Sequence, residues 1–172
     1  MLKLSGSVLV IGATTLLGVK RAAELREQYR QLEYLRQLFY QIQSEIRYAR
    51  SPLGEIFIHI GKNAEDPFGA WLQELGRMLE TREGGTFSLL WKTSIRECLK
   101  TCALTETELL RLQELGERLG LSDIEFQIGA VELYLTQLTR SLDEVRGEMK
   151  TKVRLYHCLG VMSGMLIVIL LL

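Results

Sequence analysis

The chain has 172 residues, in which 21 Lys and Arg balance 21 Asp and Glu. A neutral chain of this length is sized for one domain and lacks the basic excess of a general nucleic-acid binder. Two prolines, 8% aromatics and abundant Leu, Glu, Gln and Arg favour helix over sheet.

Residues 4–19 read LSGSVLVIGATTLLGV and carry no charge. Residues 155–172, LYHCLGVMSGMLIVILLL, carry no Asp, Glu, Lys or Arg. As helices these runs span roughly 24–27 Å, the short end of what a bilayer needs, with flanking residues able to snorkel. A cleaved signal peptide would place its positive charge before the apolar run. Here only Lys3 precedes it, while Lys20 and Arg21 follow. Two transmembrane helices are therefore expected, over 1–20 and 155–172, with a helical domain over 21–154. Lys20, Arg21, Arg26 and Arg30 flank the first run on its domain side, and Arg146, Lys150, Lys152 and Arg154 flank the last. The positive-inside rule then puts the domain in the cytoplasm. Within the last run, Gly160, Ser163 and Gly164 form a small-residue cluster of the kind that lets membrane helices pack closely.

After the first run, a long helix over about 20–50 carries apolar residues seven apart. Leu25, Leu32, Phe39 and Ile46 form one series; Leu35, Ile42 and Ala49 form the other, with Gln28 its polar member. Four short helices follow, over 52–60, 67–81, 87–101 and 106–119. Ser51-Pro52 and Asp66-Pro67 each set a capping residue before a proline at the first helical position. Thr105 with Glu108, and Ser122 with Glu125, read as capping boxes. Gly61, Gly84-Gly85 and Gly120 sit where helices should stop. A second long helix over 122–154 repeats the heptad, with Ile124, Val131, Leu138 and Val145 beside Ile128, Leu135, Leu142, Met149 and Tyr156. The fold class is all-α: a six-helix soluble bundle with two long antiparallel heptad helices, each continuous with a terminal transmembrane helix. The stripes read as an intramolecular core, with self-association through part of a seam as the alternative.

Chemistry is sparse. Gly54, Gly61, Lys62 and Asn63 resemble a phosphate-binding loop only superficially, with the wrong glycine spacing, no Ser or Thr for magnesium and no preceding strand. His59 has no Cys or carboxylate at i+4 and His157 sits at the expected membrane boundary, so neither supports a zinc site. Cys98 and Cys102, at i and i+4 on one helix face, read as small apolar residues of a reduced compartment rather than half a metal site. Carboxylates alternate with Lys and Arg on helix surfaces, as in Glu97/Lys100 and Glu114/Arg118. No catalytic residue, cofactor or metal site is expected. Two sharp helix corners remain as candidate protein-binding surfaces: one with Glu45, Tyr48, Pro52, Leu53 and Glu55, the other with Glu117, Gly120, Asp123 and Gln127.

Several motifs in this order resemble the stage III sporulation protein AB family of endospore-forming bacteria. They are the opening MLKLSGSVLVIGATTLLGV, Glu45-Ile46-x-Tyr48 followed by Pro52-Leu53-x-Glu55, then Leu115-Gly116-Glu117-x-Leu119-Gly120-x-x-Asp123 and Gln127, and the closing Gly-x-x-Ser-Gly with its ILLL tail. The resemblance covers essentially the whole length. It implies a subunit of a secretion-like complex between mother cell and forespore, similar to the F-type platform proteins of type II secretion. Its implied partners are a secretion-type ATPase, other membrane components of the complex and the lipid bilayer, with no nucleic acid. The implied location is the mother-cell membrane around the forespore. Platform proteins usually carry more than one such domain, whereas this chain has a single one. The competing expectation is a membrane-tethered regulatory module binding a small ligand or signalling partner, which requires a sizeable apolar cavity.

Overall fold

The computed structural model describes the backbone of residues 2–49, 51–81, 85–121 and 123–171, and the side chains of residues 20, 23–49, 51–81, 85–121 and 123–151. The described residues form six helices and no strand: α1 (Leu2–Tyr48), α2 (Leu53–Gly61), α3 (Phe68–Glu80), α4 (Phe87–Cys98), α5 (Glu106–Leu119) and α6 (Ile124–Leu171). Two compact units divide the chain, one of Met1–Arg30 with Leu142–Leu172, the other of Gln31–Ser141. Among the described residues no helix is long and apolar enough to cross a membrane. The terminal runs 4–19 and 155–172, with Gly160, Ser163 and Gly164, lie outside the residues whose side chains are described.

In the first unit, Arg30 grips Glu27 one turn away in a two-pronged bond, Nε and Nη2 donating to the two carboxylate oxygens at 3.0 and 2.7 Å. Leu142 and Val145 are buried.

The second unit holds the main core. Leu32, Leu35, Phe39, Ile42 and Ile46 of α1 are buried, as are Ile128, Val131, Leu135 and Leu138 of α6. These are members of the heptad series. The buried stripe is wider than the two series, because Gln31 and Leu38, and Tyr134 and Ser141, are buried too. Each pair is again seven apart, so both helices bury a third row, as a helix covered by several neighbours must. The series fail at their ends, where Ala49 and Ile124 are exposed. Ala49 follows the last residue of α1 and Ile124 opens α6, so neither has a neighbouring turn to cover it.

Two polar side chains of α1 hold loops of the short helices. Gln31 Oε1 accepts from the Ala103 N–H at 2.7 Å, and the Tyr34 hydroxyl accepts from the Glu65 N–H at 2.6 Å. The Gln31 bond falls in the turn after α4. That helix ends at Cys98, with Leu99 as its C-cap, rather than continuing to 101. Cys98 and Cys102 therefore do not share a helix face.

The caps differ from expectation in instructive ways. Pro52 and Pro67 are themselves the N-caps of α2 and α3 and make no side-chain cap bond. A proline supplies a carbonyl but no N–H, and Pro52 O accepts from Ile56 while Pro67 O accepts from Trp71. Asp66 still serves α3, its Oδ1 accepting from the Ala70 N–H at 3.2 Å. Thr86 and Thr105 cap α4 and α5 through their hydroxyls. Ser122 lies outside the described residues, and Asp123 Oδ1 accepts from the Glu125 N–H at 2.9 Å. The caps after Gly61 and at Gly120 are right-handed, so these glycines are not needed for a left-handed turn.

The glycines matter for close approach instead. Gly54 and Gly61 of α2 are seven apart, as are Gly69 and Gly76 of α3. A Cβ on Gly76 would lie 2.8 Å from Gly54 O, and one on Gly61 would lie 3.1 Å from Gly69 O. The two helices thus cross backbone to backbone. At the centre of the short helices, Trp91 of α4 is fully buried. Its ring meets Phe57 of α2 at 5.8 Å, Trp71 of α3 at 5.2 Å and Phe87 of its own helix at 5.7 Å between centroids. Trp91 Nε1 donates to Leu112 O of α5 at 2.7 Å. Trp71 Nε1 donates to Ser94 Oγ at 3.0 Å, and Ser94 Oγ donates to Trp91 O at 2.9 Å.

A Cβ added at Gly116 would collide with Cγ and Cδ1 of Trp91, whereas one at Gly147 meets nothing within 4 Å. Gly116→Ala should therefore destabilise the second unit by about 1–3 kcal/mol, as overpacked cores do. Gly147→Ala should not lower stability, since alanine favours a helix by about 0.5–1 kcal/mol over glycine. Denaturant unfolding of the full chain, followed by tryptophan fluorescence, measures both.

Candidate interaction surfaces

Tyr48 is the last residue of α1, Pro52 the N-cap of α2, and Leu53 and Glu55 lie in its first turn. Tyr48 is 77% exposed. Pro52 and Glu55 are exposed as well, and Glu45 and Leu53 are half-buried. An aromatic ring left in water at the end of a helix with a buried heptad stripe contributes little to the core.

The four residues of the second corner separate into different tasks. Glu117 on α5 is exposed and accepts from Lys92 Nζ of α4 at 2.6 Å. That ammonium holds the Glu117 carboxyl below the usual carboxylate range. Gly120 caps α5, and a Cβ there would press on Phe87 at 3.1 Å. Asp123 caps the first turn of α6. Gln127 Nε2 donates to Leu119 O at 3.0 Å and Leu121 O at 2.7 Å, tying the start of α6 to the end of α5. Gly120, Asp123 and Gln127 thus build the turn, and Glu117 is the member that faces outward.

Two further features lie outside the sequence-derived set. The first is a buried polar cluster between α5 and α6. Glu108 is 6% exposed. Its Oε1 accepts from Ser141 Oγ at 2.6 Å and from Arg111 Nη1 at 3.1 Å, and Arg111 Nη1 also donates to Ser141 Oγ at 2.8 Å. Thr105 caps Glu108 N–H, but the Glu108 carboxylate turns to α6 rather than returning to the cap, so half of the expected capping box forms. A carboxylate in the interior gains more from an arginine and a hydroxyl than from one backbone N–H. Tyr134, beside this cluster, is fully buried. Burial first and the Glu108 charge second push its phenol well above the ordinary tyrosine range, with Arg111 opposing. Nothing in the sequence pairs Glu108 with a serine 33 positions away.

The second feature is a set of exposed apolar side chains on α6 and in the turn before it: Leu121, Ile124, Phe126 and Leu133. Phe126 and Leu133 are seven apart and off both heptad series, a signal that periodicity alone could have given.

Cys98 and Cys102 are free and half-buried. Burial raises both thiols above the ordinary value, and for Cys98 the charges of Glu74 and Glu97 add to this. Among the described residues no group of three or more His, Cys, Asp or Glu is placed to hold a metal ion.

A sequence model of the family described as stage III sporulation protein AB matches residues 3–172 of this chain. The stage III sporulation protein AB of Bacillus subtilis (strain 168) is 28% identical over 171 residues, covering 99% of each chain. A solved structure of a stage III sporulation protein AB superposes with a TM-score of 0.66 at 25% identity, covering 72% of this chain and 97% of that one.

Two outcomes are expected. Ser141→Ala removes the donor to Glu108 and leaves a buried acceptor poorly satisfied, so it should cost about 1–3 kcal/mol in denaturant unfolding; a cost below about 0.5 kcal/mol would show that the hydroxyl carries little. The raised thiols keep Cys98 and Cys102 protonated to higher pH, and the thiolate is the nucleophile. Peptide-resolved alkylation should therefore be slower in the folded than in the unfolded chain at pH 8 to 9, with the folded-state rise displaced to higher pH.

Proposed function

The chain belongs to the stage III sporulation protein AB family, and from that premise we propose that it is a membrane-bound platform subunit that docks a cytoplasmic ATPase of a secretion-like sporulation complex. The relatives it matches are named as sporulation proteins. On this reading residues 1–20 and 155–172 are transmembrane helices, and 21–154 is a cytoplasmic domain on the mother-cell side of the membrane around the forespore. The long helices α1 and α6 pack antiparallel along their heptad stripes, and each runs on into its membrane segment. The terminal helices, with Gly160, Ser163 and Gly164, meet other membrane components of the complex. The subunit acts by holding and coupling its partners, without catalysis.

The observation that carries the docking assignment is the exposed Tyr48, a large aromatic side chain at a helix corner whose sequence also holds Glu45 and Glu55. Exposed aromatic anchors with a charged surround are characteristic of protein interfaces. Pro52 and Leu53 extend that corner, and Glu117 offers a second acidic point. Gly120, Asp123 and Gln127 support the second corner by shaping its turn. A rigid helical unit whose core is filled by Trp71, Trp91 and Tyr134 suits a scaffold.

The full-length chain, affinity-tagged and purified from sporulating cells, should bring the sporulation ATPase with it. A variant combining Tyr48→Ala with charge reversal at Glu45, Glu55 and Glu117 should lower the recovered ATPase by about tenfold, equivalent to about 1.4 kcal/mol of binding. Unchanged recovery, with helix content and unfolding midpoint preserved, would overturn the surface assignment.

A further inference from the structure

We propose that the basic residues at the domain-side ends of the two apolar runs form a collar that binds anionic phospholipid headgroups. The inference rests on the reading of residues 1–20 and 155–172 as transmembrane helices, and it is independent of what the Tyr48 corner docks.

The chain is neutral, but its charge is not evenly spread. All 21 carboxylates lie within residues 24–148, together with 15 of the 21 Lys and Arg. That stretch therefore carries six net negative charges, and the two ends of the chain carry six positive ones. Lys20 and Arg21 directly follow the first apolar run, and Lys150, Lys152 and Arg154 closely precede the last; the sixth cation is Lys3. Lys20 and Lys150 are exposed, and among the described residues neither makes an ion pair. Both sets belong to the first compact unit, which comprises Met1–Arg30 and Leu142–Leu172.

Distance decides which charges count. A helix rises about 1.5 Å per residue, and exposed charges are screened beyond about 8 Å at physiological salt. A headgroup plane at the end of each apolar run therefore feels about five residues of the adjoining helix. Within that reach stand five cations and one carboxylate, Glu24. Clusters of about four to eight Lys and Arg beside a membrane helix are of the size that holds anionic lipid.

The occupant follows from charge and position. A headgroup phosphate presents negative charge at the height where both runs end. Arginine grips a phosphate with paired N–H groups, and lysine adds a mobile point charge. Both lay their apolar stems along hydrocarbon while the charged head stays in water, which suits this depth. A nucleic acid fits less well, because it would run on across the net negative stretch 24–148, whereas headgroups stop at the membrane plane.

The test uses the purified full chain in a neutral detergent with equal amounts of phosphatidylglycerol and phosphatidylcholine, bound lipid being counted by native mass spectrometry. The chain should retain phosphatidylglycerol about tenfold or more over phosphatidylcholine, and salt at about 0.5 M should cut that preference several-fold. Combining Lys20→Gln, Arg21→Gln, Lys150→Gln, Lys152→Gln and Arg154→Gln should bring the ratio near one. Exchanging Lys for Arg and Arg for Lys at the same five positions should keep it, as should Lys62→Gln, Arg96→Gln and Lys100→Gln together. Circular dichroism checks that helix content is preserved in each variant. Equal retention of the two lipids by the parent chain would overturn the proposal, as would a preference that survives the five glutamines or is lost on the Lys–Arg exchange. Displacement of bound phosphatidylglycerol by millimolar inorganic phosphate would overturn it in favour of a soluble phosphate. The membrane reading is checked separately, by alkaline carbonate washing of membranes from sporulating cells. A chain that stays in the membrane yet shows no lipid preference sinks the collar alone, and a chain that is washed off sinks the membrane reading itself.

Discussion

The short-helix layer depends on the seat of one indole ring. Trp91 touches α2 through Phe57, α3 through Trp71 and α5 through both Leu112 O and the bare backbone of Gly116. Buried aromatic rings contribute large apolar area, and the indole N–H needs a partner when buried. Here one side chain meets both demands and fixes the spacing of four helices. The glycine at 116 is the other half of the seat, because the ring occupies the space a Cβ would take. The chain Trp71 Nε1 to Ser94 Oγ to Trp91 O then locks the two tryptophans to each other with no polar atom wasted.

Around this hub, polar side chains do work that apolar packing cannot. Gln31 and Tyr34 each reach from α1 to a loop N–H that would otherwise be poorly satisfied. They fix where α4 ends and where the α2–α3 connection runs. The glycines of α2 and α3 follow the same logic from the opposite direction. They remove side chains so that two backbones can meet, and the superficial likeness of Gly54, Gly61 and Lys62 to a phosphate loop is a by-product of that packing.

Helix number and most of the buried rows were legible in the sequence, because seven-residue spacing survives whatever the helices pack against. Helix ends were legible only to within a few residues. At Pro52 and Pro67 the proline itself takes the cap position, and at Cys98 a tertiary bond from Gln31 fits the early stop. The corner residues were legible as a place but not as tasks. Gly120, Asp123 and Gln127 stand in the same short stretch as Glu117, and only their hydrogen bonds and contacts separate turn-building from display. The Glu108–Ser141 bond was not legible, since a carboxylate three residues after a threonine reads as a local cap. The Phe126–Leu133 pair was present in the periodicity, but a core-seeking reading passes over apolar residues that miss the seam.

The Glu108 cluster has a mechanical corollary. The buried Glu108 carboxylate and the half-buried Arg111 guanidinium bridge α5 to α6 through the buried Ser141 hydroxyl. Prising the two helices slightly apart stretches both bonds to Ser141 Oγ, and leaves the buried Glu108 carboxylate short of a donor until water can enter. The seam therefore resists small openings and has no comfortable half-open form. An agent that separates α5 from α6 must do so far enough to hydrate the whole cluster at once, which makes this seam stiff under small strain and abrupt when it yields.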